Sequence, residues 1–325
     1  MDALQGGVVI VDWLMENRGA IDESPINGID DWKARLEKAA ASFPDKFNDL
    51  DGAVVGGVVA DRVSYAFLSG YRGAVRRIAP GLPKDKIVAY CVTEEKGNHP
   101  RAIESILVKT EEVSGNETVW RLNGGKKFVT CAEGAEILLV AASAGTGGDG
   151  RNIIKMAVID SAAEGVALTP TMDLPFIPEI PHSSVIFKDV KVKESQILPG
   201  DGYTKYIKSF RTVEDIHVMG GVLGYIFRAA SIFGWPREVV QKLLGLIYGL
   251  RALSLEDPLS PAVHLTLSGV LLQLNEFVGE IDPLWERADD ETKRMWERDR
   301  ALLSVAEKAR EARLNRAWES LGLLF

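Results

Sequence analysis

Apolar side chains recur three or four positions apart near the start of the chain, which is the repeat of one helix face. Trp32 and Leu36 carry this repeat within Asp30–Ala41, and a second stripe runs through Asp61–Ile78 until prolines interrupt it. The pattern predicts a short helical N-terminal domain over residues 1–86.

The spacing changes between residues 87 and 200, where short runs rich in β-branched residues alternate with turn-forming clusters such as Asn123-Gly124-Gly125. Many short strands at this spacing are typical of an antiparallel β-barrel or sandwich. The predicted strands are Ile87–Val92, Ile106–Thr110, Thr118–Leu122, Lys127–Thr130, Ile137–Ala142, Lys155–Ile159, Val185–Phe187 and Val190–Lys193.

Helical spacing returns over residues 201–325, with prolines between the helices. The order of helices, strands and helices excludes the βαβ alternation of a Rossmann sheet, so the Gly6-Gly7 and Gly56-Gly57 pairs are not dinucleotide-binding fingerprints. The predicted fold class is α+β, with a helical N-domain, an antiparallel β-barrel middle domain and a C-terminal α-helical bundle. The predicted C-terminal helices are Val213–Ser231, Arg237–Leu253, Pro261–Ile281 and Glu291–Leu321.

The charge balance narrows the range of functions. The 325 residues include 38 basic and 46 acidic side chains, a net charge of −8, which argues against a nucleic-acid partner and against docking on anionic lipid. No run approaches the roughly 20 apolar residues of a membrane span, and the N-terminus lacks the basic start of a signal peptide. Cys91 and Cys131 have no zinc-ligand spacing and form no disulfide framework. We therefore expect a cytoplasmic protein with no metal site.

Four stretches follow the motifs of one enzyme family. Val88–Glu94 ends in Thr-Glu, as does the family's strand before its flavin loop, and Leu122–Thr130 follows the pattern L-N-G-x-K-x-W-I-T with phenylalanine at the tryptophan. Ile186–Val192 follows the F-x-D-V-x-V strand, and Gly220–Gly224 follows the glycine-rich turn of the first bundle helix. By the order and spacing of these stretches, residues 60–325 resemble the acyl-CoA dehydrogenase family.

The resemblance implies an FAD-dependent acyl-CoA dehydrogenase of fatty acid metabolism. In this family a glutamate takes the α-proton of an acyl-CoA thioester and the β-hydride passes to FAD. The family's fold has a helical N-domain, a β-barrel and a four-helix bundle, with boundaries expected here at residues 1–86, 87–200 and 201–325. The resemblance also implies a homo-oligomer, which can pass electrons to a partner protein.

The resemblance places the catalytic base at Glu214, because Gly220 aligns with the family's glycine pair. On a helix, Glu214, His217 and Gly221 share one face, and a glycine there would leave room for a ligand beside the carboxylate. The alternative is structural, because Arg211 stands three positions before Glu214 and can pair with it on the helix surface. Both interpretations remain open from the sequence.

The same resemblance places flavin contacts at Thr93, Phe128 and Thr130. The hydroxyls would hydrogen-bond the flavin edge and Phe128 would cover its ring system, although threonine also favours strands for ordinary packing reasons. Asn98 falls at the serine of the family's phosphate-binding turn, where Pro100 removes one backbone donor. The nearby cations that could hold a phosphate, or form a solvated basic turn, are Lys96, His99 and Arg101.

Two departures from the family keep a different class of function open. Ala230 stands where the family has an arginine that reaches the FAD of a partner subunit, and no E-G-T segment is recognisable after Asp299. The sequence therefore supports three hypotheses. They are an FAD-dependent acyl-CoA dehydrogenase, a flavoprotein that oxidises a small substrate with O₂, and a non-catalytic relative that has lost flavin and acts as a binding or assembly partner.

Overall fold

The computed structural model describes residues 9–169, 172 and 174–322, and the Gly6-Gly7 pair lies outside them. By contacts the chain divides into two compact units, and helices from both ends of the chain belong to the first. The first unit comprises Met1–Arg77, Pro175–Glu179 and Arg211–Phe325, and the second comprises Ile78–Leu174 and Ile180–Phe210.

The second unit contains a seven-stranded sheet. Its strands are β1 (Val88–Cys91), β2 (Ile106–Ser114), β3 (Glu117–Thr130), β4 (Ile137–Thr146), β5 (Asn152–Asp160), β6 (Val166–Leu168) and β7 (His182–Lys193). Their order is β1-β4-β2-β3-β7-β6, and β5 pairs with β4.

The sheet is mixed rather than antiparallel throughout. β1 runs parallel to β4, with Val88 opposite Ile137 and Cys91 opposite Val140, whereas β3 is antiparallel to both β2 and β7. The β2–β3 hairpin lies between β1 and β4 along the chain, so β4 can run parallel to β1. Among the described strands, β1 and β6 lie at the two ends of the order and do not pair with each other. The predicted antiparallel barrel is thus correct only in part, because the sheet is a mixed half-barrel.

Four of the predicted strands join into two longer ones. Thr118–Leu122 and Lys127–Thr130 are both parts of β3, and Val185–Phe187 and Val190–Lys193 are both parts of β7. The Asn123-Gly124-Gly125 cluster, which the sequence predicts as a turn, lies inside β3 as a bulge, with a φ of 138° at Gly124. A Cβ atom at Gly124 would lie 2.4 Å from the Ser105 hydroxyl oxygen, so this close approach requires glycine. The Asp189 N–H in β7 donates to Asn123 Oδ1 at 2.8 Å across the bulge.

The first unit is helical. Its helices are α1 (Val9–Asn17), α2 (Ile29–Ala40), α3 (Asp49–Val59), α4 (Val63–Ile78), α5 (Phe210–Ile232), α6 (Arg237–Ser254), α7 (Pro261–Ile281), α8 (Asp290–Asp299) and α9 (Glu307–Ser320). The predicted bounds of α7 are confirmed, those of α2 differ by one residue at each end, and those of α6 differ by one residue at the C-terminal end.

Helix α3 has no counterpart among the predicted helices. Most of its residues are buried, so it shows no contrast between an apolar and a polar face, and that contrast is the signal on which a helix prediction rests. Its start is nevertheless well defined. Asn48 Oδ1 accepts the Asp51 N–H at 2.9 Å and the Asp51 carboxylate accepts the Asn48 N–H at 2.9 Å, which together form a capping box.

Glycines let the backbones of α3, α4 and α5 touch. A Cβ atom at Gly221 would lie 2.3 Å from the Ala66 carbonyl oxygen of α4, and one at Gly57 would lie 1.9 Å from the Gly221 carbonyl oxygen. The expectation that Gly221 leaves room for a ligand beside Glu214 is therefore wrong, because the backbone of α4 fills that space. Gly56-Gly57 likewise serves helix packing.

The predicted helix Glu291–Leu321 is two helices, α8 and α9. They are joined by a short turn, Arg300–Ser304, in which Leu302 and Leu303 are buried. The two leucines are buried where the helix is interrupted. The spacing of charged residues on either side does not predict this interruption.

We expect Gly221→Ala to lower the free energy of unfolding by roughly 1–3 kcal/mol, because its Cβ atom overlaps the α4 backbone. Gly245→Ala is the matched control, since Gly245 lies within α6 with nothing near its Cβ position, and it should gain about 0.5–1 kcal/mol. Urea unfolding measures both. A neutral Gly221→Ala would contradict the close approach of α4 and α5.

Candidate functional site

The loop after β1 and the end of β3 are joined in the second unit. The Lys127 N–H donates to the Thr93 carbonyl oxygen at 2.8 Å, which brings the Thr93 loop beside Phe128. Phe128 has a φ of 55°, and the residue is 62% exposed. Thr93 is half-buried, and its hydroxyl makes no hydrogen bond within the described part of the chain. This corner presents an aromatic face beside a hydroxyl with open hydrogen-bonding capacity.

A buried ion pair holds this corner in place. Lys126 is fully buried, and its ammonium lies 2.5 Å from Glu94 Oε1. The Glu94 carboxylate also accepts the backbone N–H groups of Glu104 at 2.8 Å and Ser105 at 3.1 Å. Burial raises the pKa of the Glu94 carboxyl, but the Lys126 ammonium and the backbone donors outweigh it, so the net pKa is lowered. The pair therefore ties β3 to the loop after β1.

Thr130, at the end of β3, contacts a histidine of β7. Its hydroxyl lies 3.1 Å from His182 Nε2, and His182 Nδ1 lies 2.9 Å from the Ile180 carbonyl oxygen. Burial lowers the pKa of His182, which favours the neutral ring. A neutral ring that donates from Nδ1 accepts at Nε2, so the Thr130 hydroxyl donates to His182 and its own oxygen is left to accept a hydrogen bond.

Asn98 lies just beyond a tight turn in which the Glu94 and Gly97 backbones exchange two hydrogen bonds of 3.0 Å. Asn98 and the following His99 are exposed, and their backbone N–H groups have no partner among the residues that the structure describes. Beside them is a cleft of about 710 Å³. Its polar lining includes His99, Arg101, Asp149, Arg151, Asp201 and Tyr203.

The basic side chains at this loop and cleft differ in whether they form ion pairs with nearby carboxylates. Lys96 pairs with Glu104, and Arg151 lies 3.5 Å from Asp149. Arg101 is exposed and forms no ion pair in the described ranges. Arg101 together with the backbone donors at Asn98 and His99 is suited to an anionic group.

In the first unit, Glu214 lies on α5 with 17% of its side chain exposed. Its carboxylate contacts Arg211 at 3.0 Å, which is the ion pair that the sequence allowed. Burial raises the pKa of the Glu214 carboxyl, Arg211 lowers it and the neighbouring Asp215 raises it, and the net shift is upward. A carboxylate with a raised pKa is a stronger base than that of a free glutamate.

Two arginines hold Asp215, the acid next to Glu214. Arg310 and Arg313 of α9 contact its two carboxylate oxygens at 3.0 and 2.7 Å. The Asp215 charge is therefore compensated, and Arg211 remains with Glu214.

His217 lies one turn further along α5 and is 1% exposed. Its Nδ1 contacts the Val213 carbonyl oxygen at 2.7 Å and its Nε2 has no hydrogen-bond partner. Burial lowers the pKa of His217 to about 4, so the ring is neutral near pH 7. A Cβ atom at Gly73 of α4 would lie 3.1 Å from the ring, which places His217 in the helix packing.

Metal-binding clusters and membrane-spanning helices are both absent from the described ranges. No group of three or more histidine, cysteine or carboxylate side chains is arranged to hold a metal ion there. Within the same ranges, no helix combines the length and the apolar character that crossing a bilayer requires. Cys91 and Cys131 are both buried and unbridged, and burial raises the pKa of each thiol to about 12.

Residues 89–190 match the family model described as "acyl-CoA dehydrogenase, middle domain". This part of the chain is similar to the middle domain of acyl-CoA dehydrogenases. A search of curated proteins found no match.

Solved structures share the acyl-CoA dehydrogenase fold over almost the whole chain. Butyryl-CoA dehydrogenase from Megasphaera elsdenii is 17% identical with a TM-score of 0.67, covering 99% of this chain and 100% of that one. PigA, with FAD and proline, is 13% identical with a TM-score of 0.70, covering 99% and 100%. The prolyl acyl carrier protein oxidase AnaB is 14% identical with a TM-score of 0.67, covering 97% and 99%. At these identities the likeness establishes the fold.

The site predicted from acyl-CoA dehydrogenase motifs is divided between the two units. Thr93, Phe128 and Thr130 cluster at one corner of the sheet, Asn98 lies on the exposed loop beyond it, and Glu214 belongs to the helical unit. Sequence reasoning missed the buried Lys126–Glu94 pair, the contact of His182 with Thr130 and the α9 arginines. The lysine of the L-N-G-x-K motif was the available signal for the pair.

We expect Lys126→Met to lower the free energy of unfolding by about 3–5 kcal/mol, because it leaves the Glu94 carboxylate buried without a counter-charge. Lys127→Met is the matched control. Lys127 is 43% exposed and pairs with Glu95 at the surface, so the loss should be under about 1 kcal/mol. Urea unfolding at neutral pH measures both, and equal losses would contradict a structural role for the buried pair.

Proposed function

We propose that the chain is an FAD-dependent oxidoreductase that removes hydrogen from the acyl group of a thioester, with Glu214 as the base. The observation that carries the proposal is the Glu214 carboxylate on α5, which is mostly buried and has a raised pKa, while its acidic neighbour is neutralised by α9. A base that takes a proton from carbon needs both a dry environment and a pKa near the working pH.

The residues of the sheet corner fit a flavin. The Thr93 hydroxyl and the Thr130 oxygen can hydrogen-bond the polar edge of an isoalloxazine ring, and the exposed Phe128 ring can cover its apolar part. The backbone donors at Asn98, with Arg101, suit the phosphates. Related structures are described with FAD or with FMN, which supports a flavin in this chain. When bound, the flavin would supply the acceptor for the hydride.

The proton step is the task of the first unit. Glu214 is proposed to take the α-proton, and burial favours the protonated carboxyl that results. Arg211 opposes that shift from an exposed position, 59% of its side chain being in solvent, so its effect is screened. The base therefore keeps a pKa above that of a free glutamate.

The thiol that carries the acyl group is also a matter of proposal, and coenzyme A is the first candidate. The family resemblance and the butyryl-CoA dehydrogenase fold favour an acyl-CoA thioester, a cytoplasmic homo-oligomer and an electron-transfer partner. AnaB is described as an oxidase of a prolyl acyl carrier protein, so oxidation by O₂ of a carrier-bound acyl group is the second candidate. Ala230 and the altered turn at Asn98 favour a third, a non-catalytic relative without flavin.

We expect Glu214→Gln to abolish reduction of bound flavin by an acyl thioester and to leave flavin binding unchanged, because the amide cannot accept the α-proton. Glu238→Gln is the control, an exposed glutamate on α6 that pairs with Arg237. Anaerobic bleaching of the flavin absorbance, with acyl-CoA and acyl carrier protein substrates in parallel, gives the readout. Unchanged bleaching in Glu214→Gln would refute its role as base.

A further inference from the structure

The first unit contains a cavity of about 190 Å³ that the proposed reaction does not use. It lies against the C-terminal half of α5, and the start of α8 and the segments around residues 23–25 and 61–62 complete its wall. An apolar cavity of about 150 Å³ can hold a benzene-sized molecule, so this one has room for a small organic ligand.

Two buried donors on α5 line this cavity. Tyr225 is 1% exposed, and its hydroxyl is buried without a hydrogen-bond partner. Arg228 is 5% exposed, and a single 3.4 Å contact from its guanidinium to the Val58 carbonyl oxygen is its hydrogen bond among the described residues. A guanidinium carries five donor hydrogens. A buried charge with so few partners is costly, which indicates a site that a ligand completes.

No carboxylate of the described chain pairs with Arg228. Asp61, the lining acid that acts on it most strongly, is already committed to Arg62 at 2.7 Å and to the Ile26 N–H at 2.8 Å. Arg62 is in turn held by Glu179 at 3.2 Å. The acceptor that Arg228 and Tyr225 lack must therefore come from outside this network.

The mouth of the cavity is acidic. Glu23, Asp289 and Glu291 line it and are exposed, and neither Glu23 nor Glu291 forms an ion pair in the described ranges. With Asp61 the lining holds four acids against two arginines, Arg62 and Arg228. This excess of negative charge disfavours a phosphate and favours a ligand that also carries a positive group.

We propose that this cavity binds a small ammonium carboxylate, such as a free α-amino acid. Its carboxylate would accept hydrogen bonds from the Arg228 guanidinium and the Tyr225 hydroxyl, and its ammonium would face the acids at the mouth. Hydrogen bonds between charged groups at both ends select a molecule that carries both charges and reject one that lacks either.

The cavity is separate from the proposed catalytic residue. Tyr225 lies 11 positions after Glu214 on α5, about 16 Å along the helix axis. Ala230, where the family has its FAD-binding arginine, is two positions from Arg228 and about 200° around the helix, and it does not line the cavity. Ligand binding here is therefore independent of whether the chain carries flavin.

Isothermal titration of the full chain with each of the common L-amino acids tests the proposal. We expect saturable binding of at least one. Two analogues of that amino acid are the comparison: its carboxamide, which lacks the carboxylate, and its des-amino acid, which lacks the ammonium. Each should bind at least about tenfold more weakly than the amino acid. Absence of saturable binding by any amino acid at millimolar concentration would overturn the site, as would equal binding of either analogue.

Tyr225→Phe tests the geometry without risk to folding, because it removes a buried hydroxyl that has no partner. We expect unchanged thermal stability without ligand and about tenfold weaker binding of the amino acid. Tyr248→Phe is the matched control, since Tyr248 lies on α6, is 49% exposed and should leave binding unchanged. Full binding by Tyr225→Phe, or displacement of the amino acid by inorganic phosphate or ADP, would contradict the proposal.

Discussion

The ion pair between Lys126 and Glu94 is the constraint on which the second unit's functional corner depends. A buried ammonium and carboxylate are tolerable only as partners, so β3 and the loop after β1 must meet at 2.5 Å. The same segments are joined by the Lys127 N–H bond to the Thr93 carbonyl oxygen, which brings Thr93 beside Phe128, and Glu94 also begins the turn that leads to Asn98. The positions of the proposed flavin contacts therefore follow from one electrostatic requirement in the sheet.

In the helical unit the corresponding constraint is steric. The backbones of α3, α4 and α5 touch where Gly57 and Gly221 carry no side chain, so the axis of α5 is set by atoms that cannot move aside. On that rigid helix, Glu214 is held partly buried, and Arg310 and Arg313 neutralise the acid next to it. Rigid placement of this kind is what a proton-transferring carboxylate requires.

Local sequence patterns predicted where helices and strands occur better than they predicted which of these elements contact one another. The α7 stripe carries its own periodicity, so the bounds of α7 were predictable, whereas α3 is buried on nearly all sides and has no such stripe. The Asn123-Gly124-Gly125 cluster favours a turn by composition, but Ser105 packs against Gly124 and the strand continues. Contacts between distant segments, such as α9 with Asp215, leave no mark on local pattern. Motif resemblance placed the candidate site residues, and their roles remain predictions.

The central claim is that this fold carries a flavin, and the visible absorption spectrum of the purified full chain tests it most directly. The spectrum is recorded as isolated and again after incubation with excess FAD and removal of the unbound fraction. We expect a flavin spectrum at about one flavin per chain, the ratio expected for one cofactor site in each copy. A colourless protein that takes up no FAD would contradict it and would favour the non-catalytic relative.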